Sequence, residues 1–176
     1  MIRTLGILAT ASLLSFGAAA QQAVHYREGQ RVDPQDVGRI LNQDAPIKTR
    51  SIKLLANDAA PQDTAPAAVS LPVRFAFDSA DIAASARPQL DALAEGIKLL
   101  PPERAVRVEG HTDAVGSIDY NLRLSLRRAA AVKRYLVQVH GIDASRLREA
   151  GLGVQQPIEG LDPLAAQNRR VQFSGA

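Results

Sequence analysis

Asp113, Asn121, Ser125 and Arg128 fall within one stretch, EGHTDAVGSIDYNLRLSLRRAAAV, running from Glu109 to Val132. Asp113 sits in a turn with His111, Thr112 and Gly116, just past the strand-like run Val106 to Gly110 and beside the start of a long helical pattern. Asn121, Ser125 and Arg128 are spaced four and three residues apart, so they share one helix face. A carboxylate and a guanidinium held at the edge of a core suit a small zwitterion. Asp113 can take an ammonium, and Arg128 can grip a carboxylate through paired N–H donors. The spacing therefore points to a binding site for an amino-acid-like group.

The same helical pattern carries Leu122, Leu126, Ala129, Val132, Leu136 and Val139, an apolar stripe about 100° further round. The polar row is expected to border the buried face. Arg123, Arg127 and Arg134 form a row on roughly the opposite side and read as solvated. The helix is predicted from about Ile118 to His140, with Gly141 as its C-terminal stop.

Around this stretch the order of elements is legible. Leu71 to Phe77 alternates Val73, Phe75 and Phe77 on one face and predicts a strand. Ala84 to Leu100 carries Leu90, Leu93, Ile97 and Leu100 at helical spacing, with Pro88 in the first turn and Pro101-Pro102 as a stop. RAVRVEG is the second strand, with Val106 and Val108 on one face. After the long helix come a turn at Asp143 to Leu147 and a short strand at Arg148 to Leu152. A loop, one helical turn at Ala165 to Asn168 and a closing strand at Arg169 to Phe173 complete the chain. The sum is an α/β (α+β) domain in two layers, βαβαββ, with helices on one face of a mixed sheet.

The 176 residues suffice for one domain with extensions, and a hydrophobic share of 46% supports a core. The absence of cysteine excludes disulfides, thiolate metal sites, a cysteine nucleophile and a lipid-accepting cysteine. A formal charge of +3, aromatics at 4% and no Lys/Arg run argue against nucleic-acid binding. Arg3, the apolar run Leu5 to Ala20 and the small residues Ala18 and Ala20 describe a cleavable secretory signal over residues 1–20. Export implies the periplasm if the cell is Gram-negative.

Residues 21–68 read as an N-terminal extension and linker ahead of a domain at 69–176. Within the extension, VDPQDVGRIL predicts a short helix with Asp33 as N-cap, Pro34 at the first helical position and Val37, Ile40 and Leu41 as its apolar face. Lys48 to Leu55 reads as a short strand or helix, and NDAAPQDTAPAAVS as a semi-extended Pro/Ala linker.

FAFDSADI, VEGHTDAVGSIDYNLRLSLRRAAAVKRYL, GIDASRLREAGLGVQQPI and NRRVQF, taken together, resemble the OmpA-like C-terminal domain, a peptidoglycan-binding module, over about Val69 to Phe173. The resemblance implies a non-catalytic protein whose partner is peptidoglycan and whose pocket holds the diaminopimelate of the stem peptide. It puts the family's acid, in GHTD, on Asp113 and its arginine, in LS..RA, on Arg128; the motif asparagine falls on Asn121. Arg169, of NRR, shares strand parity with Val171 and Phe173, is expected to lean toward the covered face of the sheet, and joins the pocket set. Two departures fall on the rim: Pro163 to Gln167 replaces a frequent Gly-Arg before NRR, and Leu152 replaces an aromatic in the G-x-G loop.

Other readings of these residues are weaker. His111 and Asp113 make two metal ligands where a site needs three or four, so no metal or cofactor is expected, and His111 is expected to hydrogen-bond within its turn. Ser125 has no paired base, so an amidase or hydrolase is disfavoured. The alternative to a wall tether is an adaptor in which residues 21–68 bind an outer-membrane or envelope protein while the domain docks on the wall.

Overall fold

The computed structural model describes residues 23–43, 67–76 and 79–176. The expected signal segment, the Lys48 to Leu55 segment, most of the Pro/Ala linker, and Phe77 and Asp78 lie outside the described residues.

Five strands form one mixed sheet: β1 (Ala23–His25), β2 (Ala68–Leu71), β3 (Val106–His111), β4 (Leu147–Gly153) and β5 (Val171–Gly175), in the order β1-β2-β5-β3-β4. The β1–β2 and β3–β4 pairs are parallel, and β5 is antiparallel to both β2 and β3. Helices α1 (Pro34–Leu41), α2 (Arg87–Lys98) and α3 (Ile118–His140) supply the second layer. A parallel neighbour needs a crossover, and α3 is the crossover between β3 and β4. One face of the sheet, carrying Val69, Leu71, Val106, Val108, Val171 and Phe173, joins Leu90, Leu93, Ile97, Val132 and Leu136 in a single core. The two-layer α/β class expected from the pattern is therefore the observed one.

The helix ends follow from local chemistry. The Ser117 side chain caps α3 by accepting from the Tyr120 N–H, and Gly141 closes it at φ 69°. Asp33 caps α1 by accepting from the Gln35 N–H, with Pro34 at the first position as expected. The first turn of the second helical segment is a 3-10 turn, Ala84–Ala86, before α2 begins.

Three expectations need correction. The strand placed at Leu71 to Phe77 lies earlier, at Ala68–Leu71, because Pro72 has no N–H to continue the ladder. Phe75 makes only an isolated bridge with Ile82. Residues 23–43, expected in a polar extension, give the edge strand β1 and a helix whose Val37, Ile40 and Leu41 are buried in the domain core. Arg104 fastens the end of α1 by donating to the carbonyls of Leu41 and Gln43.

The third correction concerns α3. Leu122, Leu126 and Val139, expected in the buried stripe, are exposed. In their place Asn121 and Ser125 are buried, at 2% and 0% exposure, together with Leu124, Ala129, Val132 and Leu136. The cause is glycine in the strands beneath. A Cβ on Gly110 would lie 2.1 Å from the Ser125 carbonyl oxygen, and one on Gly151 would lie 2.5 Å from the Leu126 nitrogen. The helix backbone rests on the sheet there, so only short polar side chains fit between.

Candidate functional site

The polar end of α3, the turn after β3 and the loop before β5 meet at the same end of the sheet. Their backbones are joined: the His111 N–H donates to the Arg170 carbonyl (2.9 Å), the Thr112 N–H to Gly153 (3.0 Å) and the Ala114 N–H to Pro163 (3.0 Å). Ser125 completes the link from the helix. Its Oγ donates to the Leu122 carbonyl (2.9 Å) and accepts from the Gly153 N–H (2.9 Å).

Asp113 is nearly buried and is held on both sides. Its Oδ1 accepts from the Val115 N–H (3.2 Å), and its Oδ2 accepts from Arg169 Nη1 (2.6 Å). Asn121 fixes the same turn by donating from Nδ2 to the Val115 carbonyl (2.9 Å). The carboxylate is thus oriented by a residue whose backbone Asn121 holds. The Arg169 side chain is 52% exposed, which limits the net worth of its ion pair to about 1 kcal/mol or less.

Arg128 leaves the half-buried flank of α3, donates from Nε to the Ser79 carbonyl (3.2 Å) and lays its guanidinium over the Phe75 ring, 4.9 Å from the centroid. Burial holds its pKa below the ordinary arginine value; Tyr120 and Asp113 oppose that shift and Arg169 adds to it. The stacked plane leaves a guanidinium edge for a planar anion.

Arg128 and Arg169 line one cleft of about 860 Å³, together with residues of β1, the loop after β2 and the loop before β5. A smaller cleft of about 500 Å³, between the start of α1 and the start of α2, touches none of the four predicted residues.

Of the four predicted residues, Arg128 and Arg169 line this cleft; Asp113 meets it through its ion pair with Arg169, and Asn121 braces the Asp113 turn without lining the cleft, so the pairing differs from expectation. Arg169 does not turn to the covered face. It precedes β5, which begins at Val171, and its side chain points outward to Asp113. The direct partner of Asp113 is Arg169, and Arg128 bonds the Ser79 carbonyl and stacks on Phe75 instead. His111 does not hydrogen-bond within the turn. It ends β3 at 1% exposure, and both ring nitrogens lack a partner among the described residues. Burial, then the charges of Arg170 and His25, push its pKa down to about 3. No group of three or more His, Cys, Asp or Glu able to hold a metal occurs among the described residues.

Sequence reasoning passed over several contributors. Asn168 is fully buried and pins the loop before β5: its Oδ1 accepts from the Ile158 N–H (2.8 Å), and its Nδ2 donates to the Asp162 carbonyl (2.9 Å). An asparagine next to two arginines in NRR is the signal the sequence offers. Phe75 has the alternation of a strand residue, and its platform role depends on a tertiary contact. His25 and Arg27, which also line the cleft, belong to a three-residue strand and its turn, too short for any periodicity.

The OmpA family pattern matches residues 74–170, which include Asp113, Asn121, Arg128 and Arg169 and leave out β1, α1, β2 and β5. The chain is 36% identical over 103 residues to outer membrane porin F of Pseudomonas aeruginosa, covering 58% of this chain and 29% of the porin. It is 40% identical over 101 residues to the peptidoglycan-associated lipoprotein of the same organism, covering 56% of this chain and 58% of the lipoprotein. The chain thus spans only part of either relative. Among solved structures, the peptidoglycan-associated lipoprotein from Burkholderia pseudomallei superposes with a TM-score of 0.51 at 33% identity, covering 61% of this chain and 89% of that one. The OmpA-like domain of FopA1 from Francisella tularensis gives 0.53 at 26% identity, covering 61% and 70%. With the pattern matched over more than half of its residues and the two-layer fold shared, this chain belongs to the OmpA family.

Proposed function

We propose that this protein is a non-catalytic, exported protein that binds peptidoglycan in the periplasm by clamping the diaminopimelate of the stem peptide, and so tethers envelope layers. The observation that carries the reading is the Asp113 carboxylate, oriented by the Val115 N–H and paired with Arg169, which lines the same cleft as Arg128. Asp113 already accepts from one cation, Arg169, at 2.6 Å. An ammonium of the ligand can share that carboxylate, while the stacked Arg128 takes the neighbouring carboxylate. Diaminopimelate has two amino-acid heads, so one stays free for this clamp when the other is in the peptide. Relatives whose names describe peptidoglycan association support the same reading.

Few contacts per site imply modest affinity, which a dense repeating polymer makes useful. The adaptor reading draws no support from α1, whose apolar face is spent inside the domain. The test is retention on purified sacculi of two kinds, one with diaminopimelate and one with lysine at the third stem position. Retention on the first alone is expected; equal retention on both removes the diaminopimelate reading.

A further inference from the structure

A cleft of about 860 Å³ is in the range that takes a drug-sized molecule, well beyond one amino-acid head. Part of its wall, at β1 and the turn that follows, lies outside the family match. That end carries three arginines against two glutamates, a formal excess of one positive charge with His25 neutral. Arg27, Arg74 and Arg170 line it with His25, against Glu28 and Glu159. Glu28 is already paired with Arg74 at 2.6 Å. The Arg27 guanidinium has no partner among the described residues, although its backbone is pinned. Its N–H donates to Gln30 Oε1 (2.9 Å), and its carbonyl accepts from the buried Gln89 (2.8 Å).

Arg170 is 7% exposed and sits beside this end. Its Nη2 donates to the Gln156 carbonyl (3.1 Å), while Nε and Nη1 have no acceptor among the described residues. The acid whose charge it feels is Glu109, which is itself close to Arg107 (3.5 Å). A desolvated, incompletely neutralised guanidinium under a cleft attracts anions over a longer reach than a solvated one. The exposed Arg27 and His25 can supply the direct hydrogen bonds.

We propose that the β1 end of the cleft is a second carboxylate subsite, in which Arg27 and His25 contact and Arg170 attracts another acidic group of the same wall peptide. This rests on the diaminopimelate reading above. The experiment is calorimetric titration of the full chain with three probes: free diaminopimelate, a diaminopimelate peptide bearing a second free carboxylate, and that peptide amidated at the second carboxylate. Amidation is expected to weaken binding about tenfold in the native protein. In the double variant Arg27→Ala, His25→Ala the two peptides should bind alike, and free diaminopimelate should bind as to the native protein. Equal binding of the two peptides to the native protein overturns the subsite, as does an equal loss for free diaminopimelate in the variant. If free diaminopimelate does not bind the native protein at all, the underlying reading fails and this inference with it.

Discussion

The two halves of α3 bury opposite chemistry. Its C-terminal half sets Ala129, Val132 and Leu136 against the middle of the sheet, where a long apolar side chain fills the gap between layers. Its N-terminal half sets Asn121 and Ser125 over Gly110 and Gly151, where helix and sheet backbones touch and no such gap exists. Asn121 fixes the turn that carries Asp113, and Ser125 ties the helix to Gly153 at the end of β4. The same helix therefore stabilises the fold at one end and positions the site at the other.

Substitutions separate these roles. The largest effect is expected at Gly110. Its Cβ would overlap a backbone carbonyl that has no freedom to move, so Gly110→Ala should cost about 3–5 kcal/mol in urea unfolding and loosen the site with it. Leu136→Ala tests the apolar half alone. A loss of about 3 kcal/mol is expected with sacculus retention unchanged; a parallel loss of retention would erase the division between the halves.

His111 sharpens the comparison through pH. Its native pKa, about 3, lies below the unfolded value near 6.5, so the unfolded chain binds a proton that the folded chain excludes. Its contribution is complete above pH 6.5 and is lost as pH falls from there toward 3. Between neutral pH and about pH 5 this amounts to about 2 kcal/mol. Urea midpoints for His111→Gln should vary less with pH over that window than native midpoints. The smallest effect is expected for Asn121→Ala, about 1 kcal/mol of stability, with a larger fractional loss of ligand affinity as the Asp113 turn loosens. Equal losses in both would make Asn121 a packing residue only.

Much of this was legible without coordinates. The boundaries of α3 follow from a long periodic run with Gly141 at its end, and the core of α2 from Leu90, Leu93 and Ile97. The placement of Asp113 and Arg128 near one another follows from a strand, a turn and a helix in sequence. The buried polar row was not legible, because helical periodicity assumes side chains fill the gap between layers, and glycines in another element removed that gap. The Asp113–Arg169 pair was missed for a related reason. Strand parity was extended to a residue that precedes β5, where alternation no longer applies. β1 offered three residues and no pattern, yet it walls one end of the cleft.

The most direct test of the clamp is cosedimentation of native protein, Asp113→Ala and Arg128→Ala with diaminopimelate-containing sacculi, with circular dichroism as the control for folding. Both variants should keep the native spectrum and lose retention, a deficit of about 2–5 kcal/mol in binding for leaving one charged group of the bound ligand without its partner. Two folded variants that pellet as the native protein does would contradict the account.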